Sequence, residues 1–322
     1  GNVVTDKKFD VLVVGELNAD LILFGIDQPP ELGKEILASR MTLTMGSSSA
    51  IFAVNLAALG ARVAFAGRLG DDPFGRLVLE SLQRGEVDTS DIIVDSSTPT
   101  GVTSILGWGG DRAMITFKGA MDDLKGTDVT DDMLDQAHHL HVSSFYLQDG
   151  LRPGCATLFS RAHQAGLTTS FDTQWDPAET WEGVLDVLEH TDIFLPNESE
   201  VLAISNAPDL DSAMDALHRE GMTLAVKIGN RGARVRSAQG EEFKAAPLDV
   251  KIVDAVGAGD TFDAGFVLAR LRGLGDERAL TFANAVAAYS VTSAGGTAAL
   301  ANREGTRRWL EQHGLSGELI NG

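Results

Sequence analysis

The sequence predicts a three-layer α/β/α domain on a mostly parallel sheet, with a small second β-sheet beside it. Three observations carry this. Short apolar runs alternate with stretches of helical period along most of the chain, which is the pattern of a parallel sheet covered by helices on both faces. The chain has 322 residues and is 43% apolar, enough for one large core. Two segments in the N-terminal part break the alternation.

The elements follow in order. Val11-Leu12-Val13-Val14 is a short apolar run ending at Gly15. Ile51, Val54, Ala58 and Leu59 recur at helical spacing, and Gly60 follows as a stop. Val63 to Ala66 reads as a strand. Phe74, Leu77, Val78 and Leu82 make the next helical stripe, ended by Gly85. Leu140-His141-Val142, Thr168 to Phe171, Ile193-Phe194-Leu195 and Leu224 to Ile228 are further strand-like runs, each separated from the next by a helix-like stretch. Val250 to Val253 is expected as a strand. A buried helix is expected from about Thr261, through Phe262, Phe266 and Ala269.

The two exceptions are Leu21 to Met45, polar with Pro29-Pro30 and no helical stripe, and Val102 to Phe117, a hairpin turning at Trp108-Gly109-Gly110-Asp111. Taken as about 21–45 and 100–120, they are expected to build a small sheet inserted in a single domain spanning 1–322 and to serve as a substrate lid. An ordinary edge hairpin is the plainer alternative.

Net charge is −20. Such a surface repels nucleic acid and anionic membrane, so neither is expected as a partner. No apolar run approaches the roughly 20 residues that span a bilayer, and Gly1 to Asp10 holds no apolar signal core. The single cysteine, Cys155, cannot close an internal disulfide and reads as a packing residue. The expected location is cytoplasmic. An anionic substrate needs a local positive field, which backbone amides and a metal ion can supply.

The strongest chemical signal is Asp254-Ala255-Val256-Gly257-Ala258-Gly259-Asp260-Thr261-Phe262. Gly257 and Gly259 allow a tight turn whose N–H groups converge at a helix start, an anion hole built without lysine. Asp260 at its edge is placed to accept a proton from a substrate hydroxyl while the amides hold a transferred phosphoryl group. The plainer alternative is a helix cap after a glycine turn.

This run resembles the C-terminal signature of the PfkB/ribokinase family of carbohydrate kinases. Four other segments resemble family elements in the same order: Gly15-Glu16-Leu17-Asn18-Ala19-Asp20, Gly70-Asp71-Asp72-Pro73-Phe74-Gly75, Asn197-Glu198-Ser199-Glu200 and Lys227-Ile228-Gly229-Asn230-Arg231-Gly232. The likeness runs from about Val11 to Leu300.

The resemblance implies a ribokinase-like fold with the acceptor between the large domain and a β-sheet lid, and ATP across the carboxyl ends of the strands. Asp260 is then the catalytic base, and Gly257, Ala258 and Gly259 supply the anion-hole amides. Asn197 and Glu200 organise Mg2+ and phosphate, largely through water. Lys227, Gly229 and Gly232 lie by the nucleotide phosphates, and Asn284 lies by adenine or ribose. Asn18, Asp20, Gly46 and Ser47 face the acceptor together with Asp260. Asp254 stands opposite Gly295-Gly296 in the loop that binds a monovalent cation, such as K+, in many relatives. Local patterns offer simpler readings as well: Asn197 with Glu200 is also a capping box, Gly229 and Gly232 are also hairpin glycines, and Asn284 is also a solvated helix residue.

Two stretches depart from the family pattern. Gly46-Ser47-Ser48-Ser49-Ala50-Ile51 stands where relatives read Gly-Gly-x-x-x-Asn, so Ser47 replaces a glycine and Ile51 the asparagine. This puts ribose and fructose in doubt. Asp172-Thr173-Gln174-Trp175-Asp176 lacks the basic residue often found in sugar-acid kinases, and Asp176 would repel an anionic acceptor if it faced the site. Trp175 reads as a packed surface residue. Arg68 and Arg112 are candidate anion contacts. His138, His139 and His141 lack metal-spaced partners and read as structural.

The leading expectation is transfer of the ATP γ-phosphoryl group to a hydroxymethyl of a small neutral sugar. A nucleoside kinase of the same fold is the close rival, since Ile51 suits a base. A non-catalytic ligand sensor on a kinase fold is the rival from another class. One apolar face on the lid would favour a homodimer.

Overall fold

In the computed structural model, which describes residues 6–315 and 317–320, the apolar runs become strands of one large sheet. The strands in chain order are β1 (Phe9–Val14), β2 (Asn18–Phe24), β3 (Arg40–Met45), β4 (Val63–Ala66), β5 (Arg68–Gly70), β6 (Ile93–Asp95), β7 (Gly101–Trp108), β8 (Asp111–Phe117), β9 (Ala137–Ser143), β10 (Thr168–Asp172), β11 (Ile193–Phe194), β12 (Thr223–Lys227), β13 (Ala233–Arg236) and β14 (Glu242–Ala245). The helices are α1 (Ser48–Ala58), α2 (Pro73–Arg84), α3 (Asp131–Asp135), α4 (Arg152–Gln164), α5 (Val184–Leu188), α6 (Glu198–Ser205), α7 (Leu210–Leu217), α8 (Ala258–Leu271), α9 (Asp276–Ser290), α10 (Ala298–Ala301) and α11 (Arg303–Gln312).

The large sheet has the order β14-β13-β12-β11-β10-β9-β1-β4. From β12 to β4 every neighbour is parallel, and β13 and β14 form an antiparallel edge. Alternate residues of each strand enter different cores, as the two-residue period requires. Val11 and Val13 of β1 pack with Phe52 of α1, Phe262 and Phe266 of α8 and Phe282 of α9. Leu12 and Val14 pack with Leu158 and Phe159 of α4, Val187 of α5 and Met214 of α7. Because β1 lies between β4 and β9, the connections leaving it diverge. They open a crevice at the carboxyl ends of the parallel strands, the place where such sheets bind ligands.

A second sheet has the order β3-β2-β7-β8, with β2 and β7 parallel and the outer pairs antiparallel. Its first strand starts at Asn18, so both Asn18 and Asp20 lie within it. The β7–β8 hairpin turns at Gly109 (φ 59°) and Gly110 (φ 79°), both left-handed as a two-residue turn of this twist demands. Register puts Asn18, Asp20, Thr44, Thr103 and Thr116 on one face and Leu21, Leu43, Leu106 and Ile115 on the other. The remaining pair, β5 with β6, is a two-stranded parallel sheet.

Two sequence expectations are corrected. Val250 to Val253 is not a strand; it is irregular chain that bends at Val253, with Ile252 and Val253 exposed, and the Val253 amide donates to the Val291 carbonyl at the end of α9. With no sheet edge beside it, the apolar alternation has nothing to pair with. The following helix starts at Ala258, three residues before Thr261, because Gly257 takes the left-handed N-cap conformation (φ 77°). Among the described residues, no helix is long and apolar enough to cross a membrane.

Candidate active site

Several sequence-predicted residues, Asn18, Asn197 and Lys227 among them, gather at the carboxyl ends of the parallel strands. Asp172 ends β10, Lys227 ends β12, Asn197 follows β11, and Glu16 to Asn18 follow β1. Helices α1 and α8 bring their N-termini to the same place. A Cβ at Gly257 would lie 3.0 Å from Ile51 Cγ2 and 3.1 Å from Gly296 Cα. Asn55 Nδ2 donates to Thr261 Oγ1 and to the Gly296 carbonyl, both at 2.9 Å.

Asp260 is the third residue of α8, one turn past the cap rather than the cap itself, and is 7% exposed. Burial first, and then the charge of Asp172, push its carboxyl up to about 8, against the opposing pull of Lys227. Among the described residues the amides of Gly257, Gly259 and Asp260 meet no protein acceptor, while that of Ala258 makes a long bond to the Ala255 carbonyl at 3.3 Å. Three N–H groups and the positive end of a buried helix therefore remain for an anion. A Cβ at Gly259 would be 3.7 Å from Lys227 Nζ, so the ammonium lies close to this turn. The lysine comes from β12, some thirty residues earlier in the sequence.

Lys227 bridges two buried carboxyls, with Nζ 2.7 Å from Asp172 Oδ2 and 2.8 Å from Asp263 Oδ1. Burial opposes the charge of all three groups. The ammonium nevertheless holds Asp172 below the usual carboxylate range, and Asp172, Asp263 and Glu200 hold Lys227 in its charged form. Burial and the Asp172 charge drive Asp263 well above its ordinary value. Asp263 Oδ2 is buried without a hydrogen-bond partner among the described residues. Gln174 joins this group: its Nε2 donates at 3.1 Å to both Asp172 Oδ2 and Asp260 Oδ1.

Asn197 and Glu200 form the capping box of α6, with Asn197 Oδ1 accepting from the Glu200 amide at 2.8 Å and Glu200 Oε1 from the Asn197 amide at 2.9 Å. Burial, then the Asp172 charge, raises Glu200 to about 7. Its second oxygen makes no hydrogen bond among the described residues.

At the other end of the crevice, Asp20 accepts from Asn18 Nδ2 at 3.1 Å, and Asn18 also reaches Thr103 Oγ1 at 3.2 Å. Burial raises Asp20 to about 6. Gly46 leaves room for it, since a Cβ there would sit 2.3 Å from Asp20 Oδ1. Ser47 caps α1 and has φ 78°, a left-handed conformation that glycine adopts most readily. Its hydroxyl lies 2.6 Å from the Glu16 carbonyl and 2.9 Å from Glu16 Oε1, and accepts from the Ala50 amide. Ser49 donates its amide and hydroxyl to the same carboxylate. Glu16 was not singled out from sequence; an acid straight after a strand-ending glycine was the only signal.

Other candidates have local roles. Gly232 (φ 91°) lies where a Cβ would strike the Ala245 carbonyl at 2.0 Å, and Gly229 is left-handed with open space around it. Asn284 donates to the Ala246 carbonyl, tying α9 to the chain after β14. Asp254 accepts from the amides of Val256 and Gly295, joining the two loops. Asp176 is turned into its own loop, where the amides of Ala178, Thr180 and Trp181 bind it. Trp175 packs edge-on to Trp181. Arg68 is held by Asp95 and Asp128. Arg112 lies on the second sheet, close enough to lower the proton affinity of Asp20. In the Gly70–Gly75 element, Asp72 caps α2 through the Gly75 amide and also accepts from the Thr100 amide.

The profile described as pfkB family carbohydrate kinase matches residues 8–303. The chain is similar to the ribokinase of Bacillus subtilis, at 27% identity over 296 residues, covering 91% of this chain and 97% of that protein. It is also similar to the ATP-dependent ribose-1-phosphate kinase of Halopiger xanaduensis, at 29% identity over 305 residues, covering 92% and 93%. Among solved structures, ribokinase from Thermotoga maritima matches with a TM-score of 0.81 at 26% identity, covering 94% of this chain and 99% of that one. Arabidopsis thaliana ribokinase complexed with ribose and ATP shares the fold, with a TM-score of 0.83 at 24% identity over 94% of this chain and 98% of that one. With the sheet, the glycine turn and the crevice in place, the chain belongs to the pfkB family and is an ATP-dependent carbohydrate kinase.

Proposed function

We propose that the chain transfers the γ-phosphoryl group of ATP to a hydroxymethyl of a small neutral sugar, with Asp260 as base. One observation carries this reading: a buried carboxylate with raised proton affinity beside three unpaired amides at the start of a buried helix. Asp260 takes the hydroxyl proton as the acceptor oxygen attacks. The amides of Gly257 and Gly259, with Lys227 beside them, hold the charge on the transferred group. Asn18 and Asp20 hold acceptor hydroxyls, with Gly46 giving them room. Ser47 shapes this end through its bond to Glu16. The small sheet is read as the lid.

Mg2+ fits this reading at Glu200, whose free carboxylate oxygen lies beside Asn197, and there it would offset phosphate charge. The oxygens of Asp172, Asp260 and Asp263 also lie within 4.8 Å of one another, but Lys227 already balances that group. A K+ near Asp254 would have to share oxygens already bonded to two amides. Lys227 and Gly229 are read as flanking the nucleotide phosphates. Asn284, spent on a backbone carbonyl, supports the nucleotide side through packing. The nucleoside alternative loses its main support, because Ile51 is packed against Gly257 and Gly296 rather than free to meet a base. Cytoplasmic work suits an ATP-dependent enzyme whose lone thiol, Cys155, is buried. The apolar face of the small sheet is read as the contact between two copies.

ADP release across a panel of sugars and nucleosides tests the acceptor. Asp260→Asn should lower turnover at least ~100-fold with the best sugar; near-normal turnover in that variant rules out the base.

A further inference from the structure

Gln174 lies in the 172–176 stretch that departs from the family pattern, and its amide bonds the Asp260 carboxyl. Its Nε2 donates to Asp260 Oδ1 and to Asp172 Oδ2, each at 3.1 Å. Both neighbours accept, so the amide has one workable orientation: turned over, its oxygen would face two carboxyl groups. The backbone amide of Gln174 donates to Asp172 Oδ1 at 3.0 Å. Its φ of 55° is left-handed, where a non-glycine residue is costly and persists only if its surroundings insist.

The anchor behind it is itself bonded on several sides. Asp172 is bound by Lys227, Lys227 is bound to Asp263, and Asp263 lies one helical turn beyond Asp260 on α8. Asp260, Gln174, Asp172, Lys227 and Asp263 thus form a closed ring between α8 and the ends of β10 and β12. The charged or polar groups around Asp260 are Asp172, Lys227, Glu16 and the Ser48 hydroxyl, besides Gln174. With Oδ1 taken by Gln174, the carboxylate cannot spin freely about its terminal bond.

We propose that Gln174 is a positioning residue for the base: by holding Asp260 Oδ1 against the Asp172–Lys227 anchor, it fixes which oxygen meets the acceptor hydroxyl. This rests on Asp260 being the base. The Asp172–Lys227 pair acts through Gln174 and does not touch the acceptor.

Two variants separate the side chain from the fold. Gln174→Gly keeps the left-handed backbone without strain, and Gln174→Glu keeps the shape but removes the donor. Turnover is measured with the best sugar among D-ribose, D-fructose, D-glucose and D-galactose. The titration of the Asp260 carboxyl is followed by 13C NMR, its resonance identified by its loss in Asp260→Asn. Both variants should lose at least ~10-fold in kcat, as misorientation of a reacting group costs, while KM for ATP stays within about twofold. The Asp260 titration should move to higher pH, because the ionised form has lost its donor. Turnover within twofold of the parent, or an unmoved titration, overturns the proposal. If Asp260→Asn itself keeps its turnover, the base reading fails separately, and the titration alone decides whether Gln174 holds the carboxylate.

Discussion

At Asp260, burial and a neighbouring carboxylate oppose ionisation together, and the consequence can be measured twice. A base works only when deprotonated, so kcat/KM should rise with pH through an apparent midpoint near 8 in the free enzyme. Stability should run the other way. Its folded value, about 8, lies above the ordinary 3.8, so the folded state binds more protons between them. The contribution of Asp260 is therefore greatest below 3.8 and is lost as pH rises toward 8. Asp260→Asn, which removes that charge, should melt higher than the parent without ligand, with the gap widening from pH 5 to 8 by differential scanning fluorimetry. Residues inside short motifs, such as Asp260, Asn197 and Glu200, were legible because a local pattern carries them. Glu16, Gln174 and Asp263 were not, because each has its meaning only through partners distant in sequence: Ser49 for Glu16, Asp260 for Gln174, Lys227 for Asp263.

Among elements, β9 carries a second titratable device. His139 bonds Thr168 Oγ1 at 2.6 Å and Ser170 Oγ at 2.7 Å, and His141 bonds the same Ser170 at 2.6 Å and Ser143 at 2.7 Å. His141 also stacks on Phe52, with centroids 3.7 Å apart. Burial lowers both rings to about 3 from 6.5, so they stay neutral in the folded chain and gain protons on unfolding. Their contribution is intact above 6.5 and fades as pH falls toward 3. Replacing His139 and His141 by Gln should flatten the loss of urea midpoint between pH 6.5 and 4.5; an unchanged slope would show that the rings are not its source. Strand alternation turns His139 and His141 to the same side, where both meet hydroxyls. Strand–helix alternation was legible because each apolar run had a sheet neighbour to pair with. At 250–253 that cue misled, because the pattern was present and the neighbour was not. The start of α8 was placed late because a glycine cap leaves no side-chain mark in the sequence.

For the whole molecule, the edge strands of the second sheet expose apolar side chains. Met41 is 65% exposed, Ile115 66% and Phe117 56%, all on its apolar side. Apolar side chains left so exposed on so acidic a protein favour a partner that covers them. Light scattering should give twice the chain mass, and Ile115→Glu with Met41→Glu should return it to the mass of one chain; a monomeric parent removes the reading of the sheet as a contact. The polar face carries Asn18, Asp20 and Thr103, while Lys227 and Asp260 belong to the large sheet and to α8.

That division has a consequence for inheritance and for engineering. The groups proposed to greet the acceptor lie mostly between Glu16 and Ser49, in one stretch of the sequence, whereas those proposed to handle phosphate are scattered from Asp172 onward. A cassette exchanged across that early stretch would change which acceptor is taken, provided it keeps Glu16 and Ser48, which also face Asp260.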